Sequence, residues 1–263
     1  MKPKLSIIIP VYNEARYIKT CLESLAQQSL LPYEIIIVDD GSTDKSLDAL
    51  SEFRILRQAH KGAGAARNLG AKHAAGDILV FLDADMEFDP DFLKNLVAPI
   101  ITSKTKGTFS KDEYVKNWDN PWARAWSYCL GLKDSHLIPA DYSNTAPVFR
   151  AILKSEFNRI SGFDEHRGYD DDWSLSERLS YQATVAPGAV YYHYNPDSWG
   201  EIWRQARWRA SRKYKLGIIG KIWAMLKIQS VFFDPPFSLT AQLGKLAFMS
   251  GFEAGLISPK ISK

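Results

Sequence analysis

"DILVFLDADMEF", residues 77–88, is the stretch on which the reading of this chain turns. Ile78 to Leu82 form an unbroken apolar run, the pattern of a strand buried on both faces, and it stops at two aspartates separated by one alanine. A strand must end somewhere and Asp is a good turn residue, so a single aspartate would need no further account. Two at this spacing would project to the same side of an extended backbone. Paired carboxylates there suit one divalent cation and the oxygens of a diphosphate, because magnesium-type sites take only one or two protein carboxylates and draw their other ligands from phosphate and water.

Working outward, the first half alternates strand and helix. "LSIIIPVY" (5–12) reads as a β-branched strand, "EARYIKTCLESLAQQ" (14–28) spaces Ile18, Leu22 and Leu25 as a helix face, and "YEIIIVDD" (33–40) is a second buried strand. "STDKSLDALSEF" (42–53) opens with Ser42 and Thr43 as caps and repeats Leu47 and Leu50, which predicts a helix. A short strand follows at 54–58, then a small-residue helix, "AGAARNLGAKHAAG" (63–76), stopped by Gly76, then the quoted strand. Asp89-Pro90 predicts the start of the next helix, with Asp89 as cap. This order gives parallel strands joined by right-handed crossovers, an α/β fold with a mostly parallel sheet flanked by helices. In such sheets the ligand site lies beyond the carboxyl ends of the strands, and the acidic residues gather there: Glu14, Asp39 with Asp40, and Asp83 with Asp85. Like charges brought together repel unless cations or donors offset them, and a divalent metal would do so.

The 263 residues suffice for one sizeable core with an appendage, expected as residues 1–200 and 201–263. With 46% hydrophobic, 24% charged and 13% aromatic residues, the composition is that of a folded globular chain. Cys21 and Cys129 have no metal-site spacing and read as buried thiols in a reducing compartment. The opening "MKPKLSIIIPVYNE" is a strand rather than a signal peptide. "GAGAAR" (62–67) departs from a dinucleotide-binding turn, because Arg67 stands where the third glycine would, and tight packing of a helix on the sheet fits it better. No P-loop is present.

The blocks "SIIIPVYNE", "EIIIVDDGSTD", "GAGAARNLG", "GDILVFLDAD", "GFDE" and "DDWSLSERL", in that order over roughly residues 5 to 200, resemble a family 2 glycosyltransferase of the GT-A (Rossmann-like) fold. The resemblance implies transfer of a sugar, with inversion, from a nucleotide-diphosphate donor to a glycan or lipid-linked acceptor, with Mg or Mn as cofactor. Position by position it implies Pro10, Tyr12 and Glu14 in the nucleotide pocket, and Asp40, assisted by Asp39, near the base. Lys61 stands where a cation meets base or diphosphate, and equally where a solvated lysine would. Asp83 and Asp85 become the DXD motif, Asp83 toward ribose or metal and Asp85 on the metal. In Asp170-Asp171-Asp172-Trp173 the alignment makes Asp172 the catalytic base, with Asp171 in the place of the family's usual Glu; helix N-capping accounts for part of this run. His193 is a third metal or phosphate ligand by the same resemblance, or a structural strand histidine. A sugar nucleotidyltransferase, which would carry a glycine-rich N-terminal loop, and a non-catalytic nucleotide-sugar binding protein are the rival readings.

No Asp or Glu lies between Ile202 and Phe233, whereas Arg204, Arg207, Arg209, Arg212, Lys213, Lys215, Lys221 and Lys227 do. "RQARW" (204–208) is one residue short of the Gln-x-x-Arg-Trp motif of processive relatives, so processive synthesis is not implied. The apolar residues of 217–233 and of "LTAQLGKLAFMSGFEAGLI" (239–257) read as amphipathic helices too short or too charged to span a bilayer, their lysines reaching headgroups. The expected partner is an anionic membrane surface on its cytoplasmic face, and not nucleic acid; packing on the sheet or a dimer interface is the plain alternative. Trp118, Trp122 and Trp126 recur every four residues and read as a core stripe or as a platform for the acceptor.

Overall fold

A computed structural model describes residues 3–48, 50–139, 141–166, 172–210, 220–222 and 239–257. They fall into two compact units. The first holds the described residues up to Glu113, those at 141–166 and those from 172 to Tyr192; the second holds Tyr114–Pro139 and the described residues from His193 onward.

In chain order the elements are β1 (Leu5–Val11), α1 (Ile18–Ala26), β2 (Glu34–Asp39), β3 (Arg54–Arg57), α2 (Ala63–His73), β4 (Ile78–Phe81), β5 (Met86–Phe88), α3 (Phe92–Ile101), β6 (Gly107–Phe109) and β7 (Glu113–Val115). They continue with α4 (Pro121–Cys129), β8 (Thr145–Ala146), β9 (Ala151–Leu153), α5 (Lys154–Arg159), α6 (Ser174–Leu179), β10 (Ala183–Val185), β11 (Tyr191–His193), α7 (Trp199–Ala210) and α8 (Leu239–Ile257).

The main sheet has the order β3-β2-β1-β4-β9-β6-β10-β8. β3, β2, β1 and β4 are parallel neighbours, whereas β9 runs antiparallel to both β4 and β6. β1 is buried on both faces, as its unbroken apolar run requires. Ile7, Ile9 and Val11 join Ile37, Val80 and the apolar faces of α1 and α3, while Ile8 joins Ile36, Val38, Leu79, Phe81 and the alanines of α2. Truncating one of these isoleucines to Ala would cost about 2–5 kcal/mol. α2 is made of small residues because it lies close on the sheet: a Cβ on Gly70 would run into Ile8 Cγ2 and come within 3.2 Å of Val38 Cγ2. Gly76 is likewise needed by close approach, since a Cβ there would come within 2.6 Å of Ser6 Oγ, although α2 itself ends earlier, at His73.

Four expected boundaries move. α1 begins at Ile18 rather than Glu14, because the Tyr17 and Ile18 amides both donate to Glu14 O and close a turn ahead of the helix. The helix expected over 42–53 is a series of turns in its described residues. Asp44 and Ser46 spend their side chains on each other and on the amides of Ala15 and Glu14, so the segment is pinned to the loop after β1 instead of coiling on itself. α3 is preceded by Asp91, not Asp89, whose side chain accepts from the Asp91 amide. Ala84 and Asp85 form a turn between β4 and β5. The same-side argument for Asp83 and Asp85, which needs an extended backbone, therefore does not apply.

In the second unit α4, α7 and α8 pack around Ala125, Trp126, Cys129, Ile202, Ala206, Ala210, Ala247, Phe248 and Phe252. Backbone proximity makes this possible. A Cβ on Gly251 would strike Trp203 O and one on Gly255 Arg207 O, so both glycines let α8 lie against the α7 main chain. The tryptophan stripe divides: Trp126 is core and stacks edge-on to Phe248 at 5.3 Å, Trp122 lines the cluster, and Trp118 lies ahead of the helix against Tyr128. Lys245 overturns part of the amphipathic reading, being 5% exposed rather than directed to headgroups. Its ammonium only partly opposes the effect of burial on the Cys129 thiol, which is pushed up to about 12. The opposite face of α8 exposes Leu239, Leu243, Leu246 and Ile257, so the helix is apolar on both sides. On α7, Arg204 is exposed, while Arg207 lies over the Trp203 ring at 5.2 Å. Among the described residues no helix is long and apolar enough to cross a membrane. Most of the helix expected over 217–233 lies outside the described residues, as do Arg212, Lys213, Lys215 and Lys227.

Candidate active site

The loops that follow β1, β2, β3 and β4 meet at one rim of the first unit, since parallel strands present their carboxyl ends together. The loops after β1 and β2 are tied to each other. Asn13, with φ of 57°, accepts on Oδ1 from the Thr43 amide at 2.8 Å, and its own amide donates to Ser42 Oγ. Asp39 is 6% exposed and accepts from the Ser42 amide at 2.9 Å, so its carboxylate shapes the turn. Pro10 closes the apolar run of β1 opposite Val38, and Glu14 stands two residues past Tyr12 with its amide on Ser46 Oγ.

Asp40, 3% exposed, is committed to the loop after β3. Oδ1 accepts from Gln58 Nε2 at 2.7 Å and from the Lys61 amide at 2.9 Å; Oδ2 accepts from the Gly62 amide at 2.8 Å and faces His60 Nδ1 at 2.9 Å. Asp40 therefore holds the His60–Gly62 turn, where Gly62 takes φ of 97°, a region open to glycine. One product of this clamp is a ring pair that the sequence did not announce: Tyr12 and His60 lie 4.1 Å apart, centroid to centroid. Lys61 contributes its backbone to Asp40 and leaves its side chain exposed.

Asp83, two residues past β4, is gripped from two sides. Arg67 Nη2 donates to its Oδ1 at 2.7 Å and Arg150 Nη1 to its Oδ2 at 3.0 Å. The second nitrogen of Arg67, Nη1, donates to Asp172 Oδ1, also at 2.7 Å. Asp83 and Asp172, 16 and 105 positions from Arg67, thus meet on one guanidinium whose side chain is 5% exposed. Burial alone would weaken the charge on Arg150, but Tyr191, Asp83, Glu113 and Asp172 more than reverse this and hold its pKa well above the usual arginine value. Beneath the turn, burial together with Asp85, Asp83 and Glu87 raises the Cys21 thiol far above its ordinary range, and its sulfur sits 3.7 Å from Asp83 O. The thiol stays protonated and structural.

Of the proposed metal ligands, Asp85 lies in the Ala84–Asp85 turn beside Glu87, half-buried. His193 belongs to the second unit, where its carbonyl accepts from the Lys116 amide. Among the described residues no three His, Cys, Asp or Glu side chains gather to enclose a metal on their own. Hard oxygen donors at this turn nonetheless suit Mg or Mn, which take most of their ligands from phosphate and water. Both oxygens of Asp83 are already engaged by guanidinium groups. Asp171 lies outside the described residues.

Sequence reasoning passed over Arg67, Arg150, His60 and Asn68. Arg67 and Asn68 had a signal, two polar residues inside an otherwise small-residue helix. Asn68 uses it to clamp "GFDE": its Oδ1 accepts from the Phe163 amide at 2.9 Å, and its Nδ2 donates to Phe163 O at 3.0 Å and to Glu165 Oε1 at 2.9 Å.

Comparison with known proteins speaks to the family and the fold. The putative glycosyltransferase EpsH of Bacillus subtilis is 40% identical over 102 residues, which is 36% of this chain but only 30% of that protein's length. Among solved structures, Staphylococcus aureus TarS 1–349 in complex with UDP-GlcNAc matches with a TM-score of 0.59 at 18% identity, over 95% of this chain and 71% of that one. The mannosyltransferase PcManGT from Pyrobaculum calidifontis in complex with GDP-Man and Mn2+ matches with a TM-score of 0.58 at 20% identity, over 97% and 73%. At such identities the two structures speak for the fold, an α/β architecture of GT-A type. Residues 6–160, more than half of the chain and including the rim from Pro10 to Arg150, match the model of Glycosyl transferase family 2, and the chain belongs to that family.

Proposed function

We propose that this chain transfers a sugar from a nucleotide-diphosphate donor to a hydroxyl acceptor, with inversion at the anomeric carbon. The observation that carries the reading is the meeting of Asp83, at the end of a central parallel strand, with Asp172, far along the chain, on one buried guanidinium. An inverting transfer needs a carboxylate beside the acceptor to take its proton as the new bond forms, a contribution of about 10²–10⁴-fold. Asp172 has that role, with Asp171 as the alternative by register. The nucleotide lies over the rim formed by Pro10, Tyr12, Glu14 and the His60–Gly62 turn, with Lys61 and Asp83 at its phosphate and ribose end. Mg or Mn, held by Asp85 and assisted by Asp83, would offset the charge developing on the departing diphosphate. The similar structures that hold UDP-GlcNAc, or GDP-Man with Mn2+, support a sugar nucleotide as donor.

A glycan or lipid-linked acceptor, met at an anionic membrane surface on its cytoplasmic face, extends the reading. It is supported by the exposed leucines of α8 and by the run of basic residues after Ile202. Co-sedimentation with anionic vesicles at low salt, reversed by high salt, is the expected result; protein left in the supernatant at low salt would remove the membrane from the proposal.

The donor is tested with a panel of UDP- and GDP-sugars, scored for thermal stabilisation and for slow release of the nucleoside diphosphate, each with Mn and with chelator. One sugar nucleotide should stabilise and turn over only with metal, and Asp85→Ala should lose both effects. Binding without turnover would leave a nucleotide-sugar binding protein. Indifference to chelator would remove the metal.

A further inference from the structure

We propose that Arg67 is the positioning residue of this site: it aims the Asp172 carboxylate and, by holding Asp83 with its other nitrogen, ties the acceptor side of the reaction to the donor side. The inference rests on the transferase reading above and adds a residue to it.

The guanidinium has little freedom of its own. It projects from the middle of α2, a helix locked against β1 and β2 by Gly70, Ala66 and Ala71. Its Cζ lies 5.6 Å from the centroid of the Phe163 ring, which is packed edge-on to Phe81 at 5.0 Å. Asp83, on one nitrogen, is fixed from its other oxygen by Arg150, whose Cζ in turn lies 5.6 Å from the Tyr191 centroid. Asp172, on the other nitrogen, lies just ahead of α6, with its side chain 29% exposed. A planar fork with two anchored contacts therefore imposes direction on the third group. The next residue strengthens this, because Asn68 clamps Phe163 and Glu165, so consecutive side chains of α2 grip positions 163 and 172. Ser174 Oγ adds a contact to the Asp164 amide at 3.0 Å. Both ends of that stretch are referred to the sheet through one turn of one helix.

The chemistry needs an arginine here. Each contact is charge-assisted, and a guanidinium presents its N–H groups in a fixed plane that reaches two carboxylates at once. A lysine supplies the charge from a single point and holds one carboxylate or the other. Loss of the fork should then lower turnover without weakening the hold on the donor, because Arg150 still holds Asp83 from its other oxygen while Asp172 loses its aim.

The test is a double-mutant cycle between Arg67→Lys and Asp172→Asn, read as metal-dependent hydrolysis of UDP-GlcNAc and GDP-mannose in MnCl2. Arg67→Lys should lower kcat by more than about tenfold and change the donor KM by less than about threefold, and in the Asp172→Asn background it should cause no further loss. Losses that multiply across the cycle, or a Lys variant as active as wild type, overturn the proposal. A wild type inactive on every sugar nucleotide tried would instead overturn the transferase reading. If Arg67→Lys does not fold, the same coupling is read in the unaltered arginine by NMR: rotation of the Arg67 guanidinium should be arrested in wild type and released in Asp172→Asn. An unchanged signal overturns it.

Discussion

The two units bury their contacts by opposite means. At the rim of the first, two aspartates share a buried guanidinium and a third, Asp40, engages both its oxygens with three donors and faces His60 Nδ1. In the second, three helices approach until α8 glycines face the carbonyls of α7 around a largely apolar cluster. Polar networks of the first kind specify direction, because each hydrogen bond has an angle, whereas close packing of the second kind specifies distance. A substitution at the rim should therefore cost function before stability, and one at the α7–α8 contact stability first.

The largest effect expected from that contrast is at Asp172. Asp172→Asn keeps the shape and removes the base, so transfer should fall by at least about a hundredfold while donor affinity stays close to wild type. Asp171→Asn is the control. A reversed pattern would move the base by one residue, and two fully active variants would end the assignment of a carboxylate base to this run.

How much of this was legible differs between the regions for a physical reason. β4 and its aspartates could be read because a doubly buried parallel strand must be a continuous apolar run, and its end is visible as the run stops. The role of Arg67 could not, since its partners are set by tertiary distance and one of them is 105 positions away. The expected helix over 42–53 failed where local side-chain contacts of Asp44 and Ser46 outweighed the spacing of Leu47 and Leu50. In α8 the packing is decided by glycines, which carry no hydrophobic signal, so the pattern reads as an amphipathic helix and leaves the buried face unread. Lys245 shows the same limit, for nothing in a lysine on an apolar helix says that it is the side facing in.

A mid-sized effect should come from Gly251→Ala. Its new methyl would meet Trp203 O, a backbone atom that cannot turn aside, so α7 and α8 have to separate. Overpacking of this kind costs about 1–3 kcal/mol. Denaturant unfolding should show the loss, while hydrolysis of the donor below the transition should persist. If hydrolysis fails before unfolding begins, the contrast between the two regions is too sharp as drawn.

The smallest effect is at the start of α4, where a polar side chain of the second unit supports packing by direction after all. Asn120 Oδ1 accepts from the Trp122 amide at 2.8 Å and from the Ala123 amide at 3.3 Å, ahead of Pro121 at the first helical position. Its Nδ2 reaches Asp197 O only at 3.4 Å, a distance at which a hydrogen bond is weak. The acceptor should thus carry most of its value. Asn120→Ala leaves two amides at the helix start without the cap and should cost about 1 kcal/mol. Asn120→Asp keeps the acceptor and places a negative charge at the positive end of the helix, which should offset the lost Nδ2 contact and leave the unfolding midpoint near that of wild type. Equal losses in Ala and Asp would show that the link to Asp197 matters more than the cap, and that this corner of the second unit is held by direction as the rim is.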